Sequence, residues 1–211
     1  MAVNNYDLHL LIIPEDDAYR DIANGFVGHF AVADKKIRVE KPAGGWLKLR
    51  QSFTQDHEKG LRQYPKRHVL MLLDLDGSPN RAQEFTNAIS KDIREQVFLL
   101  CCRNEAENVK KELGYGHFEP IGQQMAQSCY DNARDAPESP WTCGQLRQNE
   151  GELRRLAEAV CSFLFLSRPR PGANNCHLMK LLIRPLMKPL VKNQVVEKVC
   201  NRGVSISILF A

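Results

Sequence analysis

The sequence predicts an α/β fold with a compact, mostly parallel sheet flanked by helices, and three observations carry that expectation. Strand-length apolar runs recur at residues 6–13, 68–75 and 97–102. These runs are nearly continuous rather than alternating, the pattern of strands buried on both faces. Each is followed by a segment of helical period, and successive βα units imply parallel pairing with all strand ends along one sheet edge.

In the first unit the run Leu8-His9-Leu10-Leu11-Ile12-Ile13 stops at Pro14, and Glu15-Asp16-Asp17 follow at once. Tyr19, Ile22, Ala23, Phe26, Val27 and Phe30 then recur at helical spacing, predicting an amphipathic helix over 16–30. Acids in a first turn complement the helix dipole, which accounts for Asp16 and Asp17. Glu15, at the corner itself, is the residue that this explanation leaves over. Residues 36–39 read as a short edge strand. Ala43-Gly44-Gly45-Trp46 opens a helix reaching about residue 62, with Trp46, Leu49, Phe53, His57 and Leu61 along one side. The Gly-Gly pair lacks the Lys-Ser/Thr of a P-loop and reads as a turn.

The chain is organised around His68-Val69-Leu70-Met71-Leu72-Leu73-Asp74-Leu75-Asp76-Gly77. Strand alternation predicts Asp74 and Asp76 on one face with Leu75 opposite. Two carboxylates so placed repel unless a cation lies between them, and Mg²⁺ prefers oxygen ligands of this kind. A helix over 80–94 follows, with Ala82, Phe85, Ile89 and Ile93 inward. The strand at 97–102 leads to Arg103-Asn104-Glu105-Ala106-Glu107 and a helix stopping at Gly114. Beyond residue 116, helices are predicted at 121–130 and 144–166. The expected organisation is a core over 1–116, a helical extension over 117–166 and a Pro-containing basic tail over 167–211.

Totals narrow the class. At 211 residues with 43% hydrophobic and 26% charged residues, the chain is long enough for one domain with an appendage. No apolar run reaches membrane-span length and no basic region precedes residues 10–13, so a cytoplasmic protein is expected. The seven cysteines show no C-x-x-C spacing and read as reduced thiols. Residues 1–166 hold 21 Lys/Arg against 24 Asp/Glu, whereas 167–211 hold eight against Glu197 alone. That tail suits nucleic acid, an acidic partner or a membrane surface.

Strand–Glu–helix followed by strand–Asp-x-Asp resembles the TOPRIM domain of topoisomerases, bacterial primases and nucleases of the overcoming-lysogenization-defect type. The matching pieces are Ile12-Ile13-Pro14-Glu15 and Leu72-Leu73-Asp74-Leu75-Asp76-Gly77, within residues 5–115. Pro14 stands where the family has glycine. Tyr19 stands where some nuclease members carry a further acid, a role left to Asp16 or Asp17. The resemblance implies phosphodiester hydrolysis, with Glu15, Asp74 and Asp76 holding Mg²⁺ or Mn²⁺ and Glu105, or Glu107, helping with a second ion. It also implies a basic residue steadying the phosphate; Arg20, Lys66, Arg67 and Arg81 are the candidates. The substrate would be DNA or RNA. Small chains of this kind resemble effectors of anti-phage or toxin-like systems, paired with an ATPase sensor or acting as homo-oligomers. Two other readings stay open. The run Leu72 to Gly77 also matches the hhhDxDG motif of haloacid-dehalogenase-type phosphatases, with Asp74 as nucleophile. A non-catalytic α/β interaction module, its acids serving as helix caps, is the other.

Overall fold

The structure, a computed structural model, describes residues 3–78 and 80–166. The basic tail expected at 167–211 lies outside them. Four strands, β1 (His9–Pro14), β2 (Ile37–Val39), β3 (Arg67–Asp74) and β4 (Val97–Cys102), form one all-parallel sheet in the order β2-β1-β3-β4. The helices in chain order are α1 (Asp17–Val27), α2 (Trp46–Ser52), α3 (Glu58–Gln63), α4 (Asn80–Ala88), α5 (Ala106–Leu113), α6 (Glu119–Tyr130) and α7 (Glu150–Leu164). A π-helical turn, Phe53–His57, joins α2 to α3.

Both sheet faces are covered, which is why the strands read as unbroken apolar runs. Leu11, Ile13, Val69, Met71, Leu73 and Leu99 pack on Leu49, Phe53, Leu61, Phe85 and Ile89 from α2–α4 and their neighbouring turns. On the opposite face Leu10, Ile12, Leu70, Phe98 and Leu100 meet Ala23 of α1, Ala126 of α6 and Leu153, Leu156 and Val160 of α7. The segments expected as an extension therefore supply a layer of the sheet's own covering. The contact between α1 and α6 is made by glycines. A Cβ on Gly122 would lie 1.9 Å from the Ile22 carbonyl oxygen, and one on Gly25 2.0 Å from that of Glu119.

Three predicted helices are shorter than their apolar spacing implies, and that over 16–30 stops at Val27 with Phe30 exposed beyond it. The one from residue 80 ends at Ala88, although Ile89 and Ile93 remain buried in the core beyond it. The one expected from 144 begins at Glu150, because the residues before it are drawn to the edge of β4. Asn149 accepts from the Cys101 N–H (2.8 Å) and donates to the Cys101 carbonyl (2.8 Å), while Gln148 donates to that same carbonyl at 2.6 Å. Glu152 accepts from the Leu99 N–H (2.9 Å), and Arg155 donates to the Val97 carbonyl (2.5 Å). Side chains thus occupy the backbone positions a fifth strand would use, closing the sheet edge.

Candidate functional site

From β1 the chain goes outward to β2 and then returns across β1 to β3, so the sheet's switch point lies between β1 and β3. In open α/β sheets that crevice, outside the carboxyl ends of the strands, is where ligands sit. Here it holds Glu15 and Asp74. Pro14 is the last residue of β1 and pairs with Leu72. One residue on, the Glu15 N–H donates to the Leu72 carbonyl at 2.9 Å and its carboxylate accepts the Asp74 N–H at 2.9 Å. The two acids are 8% exposed each.

Three loops close around them. Gly44 and Gly45, at φ 81° and 121°, both donate backbone N–H groups to the Glu15 carbonyl (2.8 and 3.3 Å). Those amides are committed to the corner, which confirms the turn reading of the pair. Asp16 caps α1, accepting the Tyr19 N–H at 3.1 Å. That cap turns Tyr19 inward, and its buried hydroxyl donates to the Asp74 carboxylate.

Asp76 departs from the expected geometry. β3 ends at Asp74, and Asp76 and Gly77 sit in left-handed conformation at φ 46° and 70°. Alternation does not extend to Asp76, because the chain leaves the ladder once the Leu75 N–H bonds to the Cys102 carbonyl and that of Gly77 to Arg103. The Asp76 side chain is 50% exposed and accepts from Arg81 at 2.6 Å. The same Arg81 nitrogen donates to the Asp74 carbonyl at 2.9 Å, and the guanidinium lies 5.1 Å from the Trp46 ring centroid.

The remaining candidates are placed elsewhere. Arg20 pairs with Asp17 (2.8 Å) and Asp21 (3.6 Å) on the outer surface of α1. Glu105 is exposed at the N-cap of α5, past the carboxyl end of β4, and Glu107 is exposed in its first turn. Lys66 and Arg67 are corrected outright. They stand at the entry of β3, roughly 23 Å of strand from Asp74, where Arg67 bonds to His9 and Asn5.

The electrostatics of the pair follow from burial. Desolvation pushes the Asp74 carboxyl up to about 7, the Tyr19 hydrogen bond works against this, and the charges of Glu15, Asp16 and Asp76 push the same way as burial. Desolvation also raises Glu15, with the Asp74 N–H and Arg81 opposing it. Tyr19 is held well above the usual phenol range by burial and by the neighbouring Asp74 charge. Among the described residues no group of three acidic, histidine or cysteine side chains is already gathered as a metal-ligand set. The pair nonetheless fits a hard divalent cation in its donor chemistry. Glu15 and Asp74 offer buried carboxylate oxygens from neighbouring strand ends, the donor type that a hard divalent cation takes.

Tyr19 is the residue that sequence reasoning missed. Its helical spacing marked it as core, and only the cap at Asp16 reveals that its hydroxyl reaches the strand end. Comparison with family models, curated proteins and solved structures gives no match. The fold and the site by themselves define an α/β domain with helices on both faces of a parallel sheet and a buried acidic pair at its switch point.

Proposed function

We propose that the chain is a Mg²⁺- or Mn²⁺-dependent nuclease of TOPRIM type, hydrolysing phosphodiester bonds in DNA or RNA as the effector of a defence or toxin-like system. The observation that carries this reading is the Glu15–Asp74 pair, two buried carboxylates brought together from separate βα corners at the sheet's switch point. Glu15 and Asp74 would hold the ion, and Asp76 would join them on release from Arg81. A bound ion would supply Lewis-acid polarisation of the phosphate and a more acidic attacking water. Tyr19 orients Asp74 by its hydrogen bond. Arg81, which donates to the Asp74 carbonyl and the Asp76 carboxylate, would be the cation that meets a phosphate oxygen, a role that guanidinium geometry suits.

The test combines ion binding with cleavage. At 100 times its Kd, Mn²⁺ binding to the folded protein alone adds about 2.7 kcal/mol, a rise in Tm of roughly 5–10 °C for a chain of this size. Asp74→Ala and Glu15→Gln should each abolish that rise, together with cleavage of plasmid, single-stranded DNA or tRNA. A Tm indifferent to Mn²⁺ in wild type, or a shift retained in Asp74→Ala, would leave an inert interaction module. Phosphatase activity surviving Glu15→Ala would point instead to Asp74 as a nucleophile.

A further inference from the structure

Between the sheet and its α1–α6–α7 layer lies a cavity of about 730 Å³, well inside the range of small-molecule sites. The space opens to solvent beside Asp135 and Glu150, which line it and are 88% and 76% exposed. Its floor is Ile12 and Leu70, its walls Phe26, Leu156 and Val160, and the loop containing residues 132–136 lies at its margin. Nothing in the apolar body of the cavity would favour water over a hydrocarbon chain.

The margin carries both signs: Arg134 and Arg154 line the cavity, and so do Asp135 and Glu150. The side chain of Arg134 is 18% exposed, whereas its ion-pair partner Asp135 is 88% exposed and sits 3.7 Å away, beyond hydrogen-bond length. Arg154 meets Glu150 just as loosely, at 3.6 Å, and Glu150 is 76% exposed. Arg154 is itself 48% exposed, so Arg134 is the sheltered cation of the two, its carboxylate partner turned to solvent. Pairs of that kind contribute little and are readily exchanged for a better anion.

We propose that this cavity binds a medium- to long-chain carboxylate, its hydrocarbon body between Ile12, Leu70, Leu156 and Val160 and its carboxylate on Arg134. The site is independent of the acidic corner, although Tyr19 borders both.

Trp141 lines the cavity and donates its indole N–H to the Met125 carbonyl at 3.1 Å, which gives a direct fluorescence readout. The experiment titrates the full chain with dodecanoate and, in parallel, with dodecanol. Both should saturate at one molecule per chain, with dodecanoate the tighter. Arg134→Gln should weaken dodecanoate about tenfold, the scale of one hydrogen bond to a charged group, and leave dodecanol unchanged. Ala157→Phe, which fills part of the space, should weaken both. Circular dichroism checks that each variant is folded. If Ala157→Phe fails to fold, the Arg134→Gln contrast between acid and alcohol decides alone. Absence of saturable binding by either probe would overturn the proposal, as would equal loss of both in Arg134→Gln.

Discussion

The two ends of the β1–β3 pair are built from the same kind of residue, buried polar groups on adjacent parallel strands, and they are solved in opposite ways. At the entry end Arg67 donates to His9 (3.1 Å) and to Asn5 (2.8 Å) and stacks on Tyr64, 4.7 Å from its centroid. The other ring nitrogen of His9 lies 2.7 Å from the Asp7 carbonyl. That nitrogen must carry the proton, which leaves Nε2 free to accept from Arg67. Arg67 and His9 thus face partners of complementary role. At the exit end Glu15 and Asp74 set two acceptors of like charge side by side, and their nearest cation, Arg81, is spent on a carbonyl and on Asp76. A matched polar cluster stabilises a fold, whereas an unmatched one is tolerated where function needs it.

If that contrast is right, substitutions at the two ends should have opposite signs. The largest effect is expected from Arg67→Met, which keeps the apolar stem but strips two charge-assisted hydrogen bonds and orphans the acceptors of His9 and Asn5. At about 1.5–3 kcal/mol for each such bond, the cost is about 4 kcal/mol, read as a lower urea midpoint at unchanged slope. A loss under 1 kcal/mol would mean that the entry cluster is no more than surface decoration.

The next effect is a gain. Asp74 titrates near 7 in the fold and near 4 in an unfolded chain, so between those values the folded state keeps a proton that the unfolded state has released. Stability of the metal-free protein therefore falls as pH rises from about 4 to 7. Asp74→Asn keeps an acceptor for the Tyr19 hydroxyl and removes the titration. In EDTA its stability should match wild type near pH 4 and exceed it by about 4 kcal/mol at pH 8, roughly three pKa units at about 1.4 kcal/mol each, while activity is lost. Parallel stability curves for the two proteins would show that the exit end is as well compensated as the entry end.

The same contrast explains what the sequence disclosed. Long apolar runs and the turn residues around them are local signals, so three strands, their order of succession and their parallel sense were legible. Glu15 and Asp74 were legible as well, because acids at the ends of buried strands have no local explanation. Their neighbours were harder. Asp76 looked like a strand residue because alternation has no way to register the left-handed turn at Asp76-Gly77. Tyr19 carried an apolar signal, and its hydroxyl matters only through a residue 55 positions away. Arg67 was assigned to the wrong end, since proximity along the chain to Asp74 is distance along an extended strand. The seal on β4 was hidden for a related reason. Gln148, Asn149, Glu152 and Arg155 fall within the helix predicted over 144–166, and nothing along the chain marks the strand edge beside them.

The smallest expected effect concerns His9 and runs against that of Asp74. Burial lowers its pKa below the ordinary 6.5, and the Arg67 charge pushes the same way against the Asp7 hydrogen bond. A group lowered in this way contributes stability that is complete above the unfolded pKa and is lost as pH falls toward the folded one. Protonating Nε2 would also turn an acceptor toward Arg67 into a second donor, so the bond between them must break. Ring ¹⁵N shifts recorded from pH 8 to 5 should show His9 still neutral, with the proton on Nδ1, below pH 6.5. A midpoint at or above 6.5 would mean that Arg67 does not donate to it. The two groups thus act in opposite senses over overlapping ranges, the Asp74 contribution falling as pH rises from about 4 to 7 and the His9 contribution being lost as pH falls below 6.5. A cation that holds Asp74 ionised should remove the first dependence and leave the second.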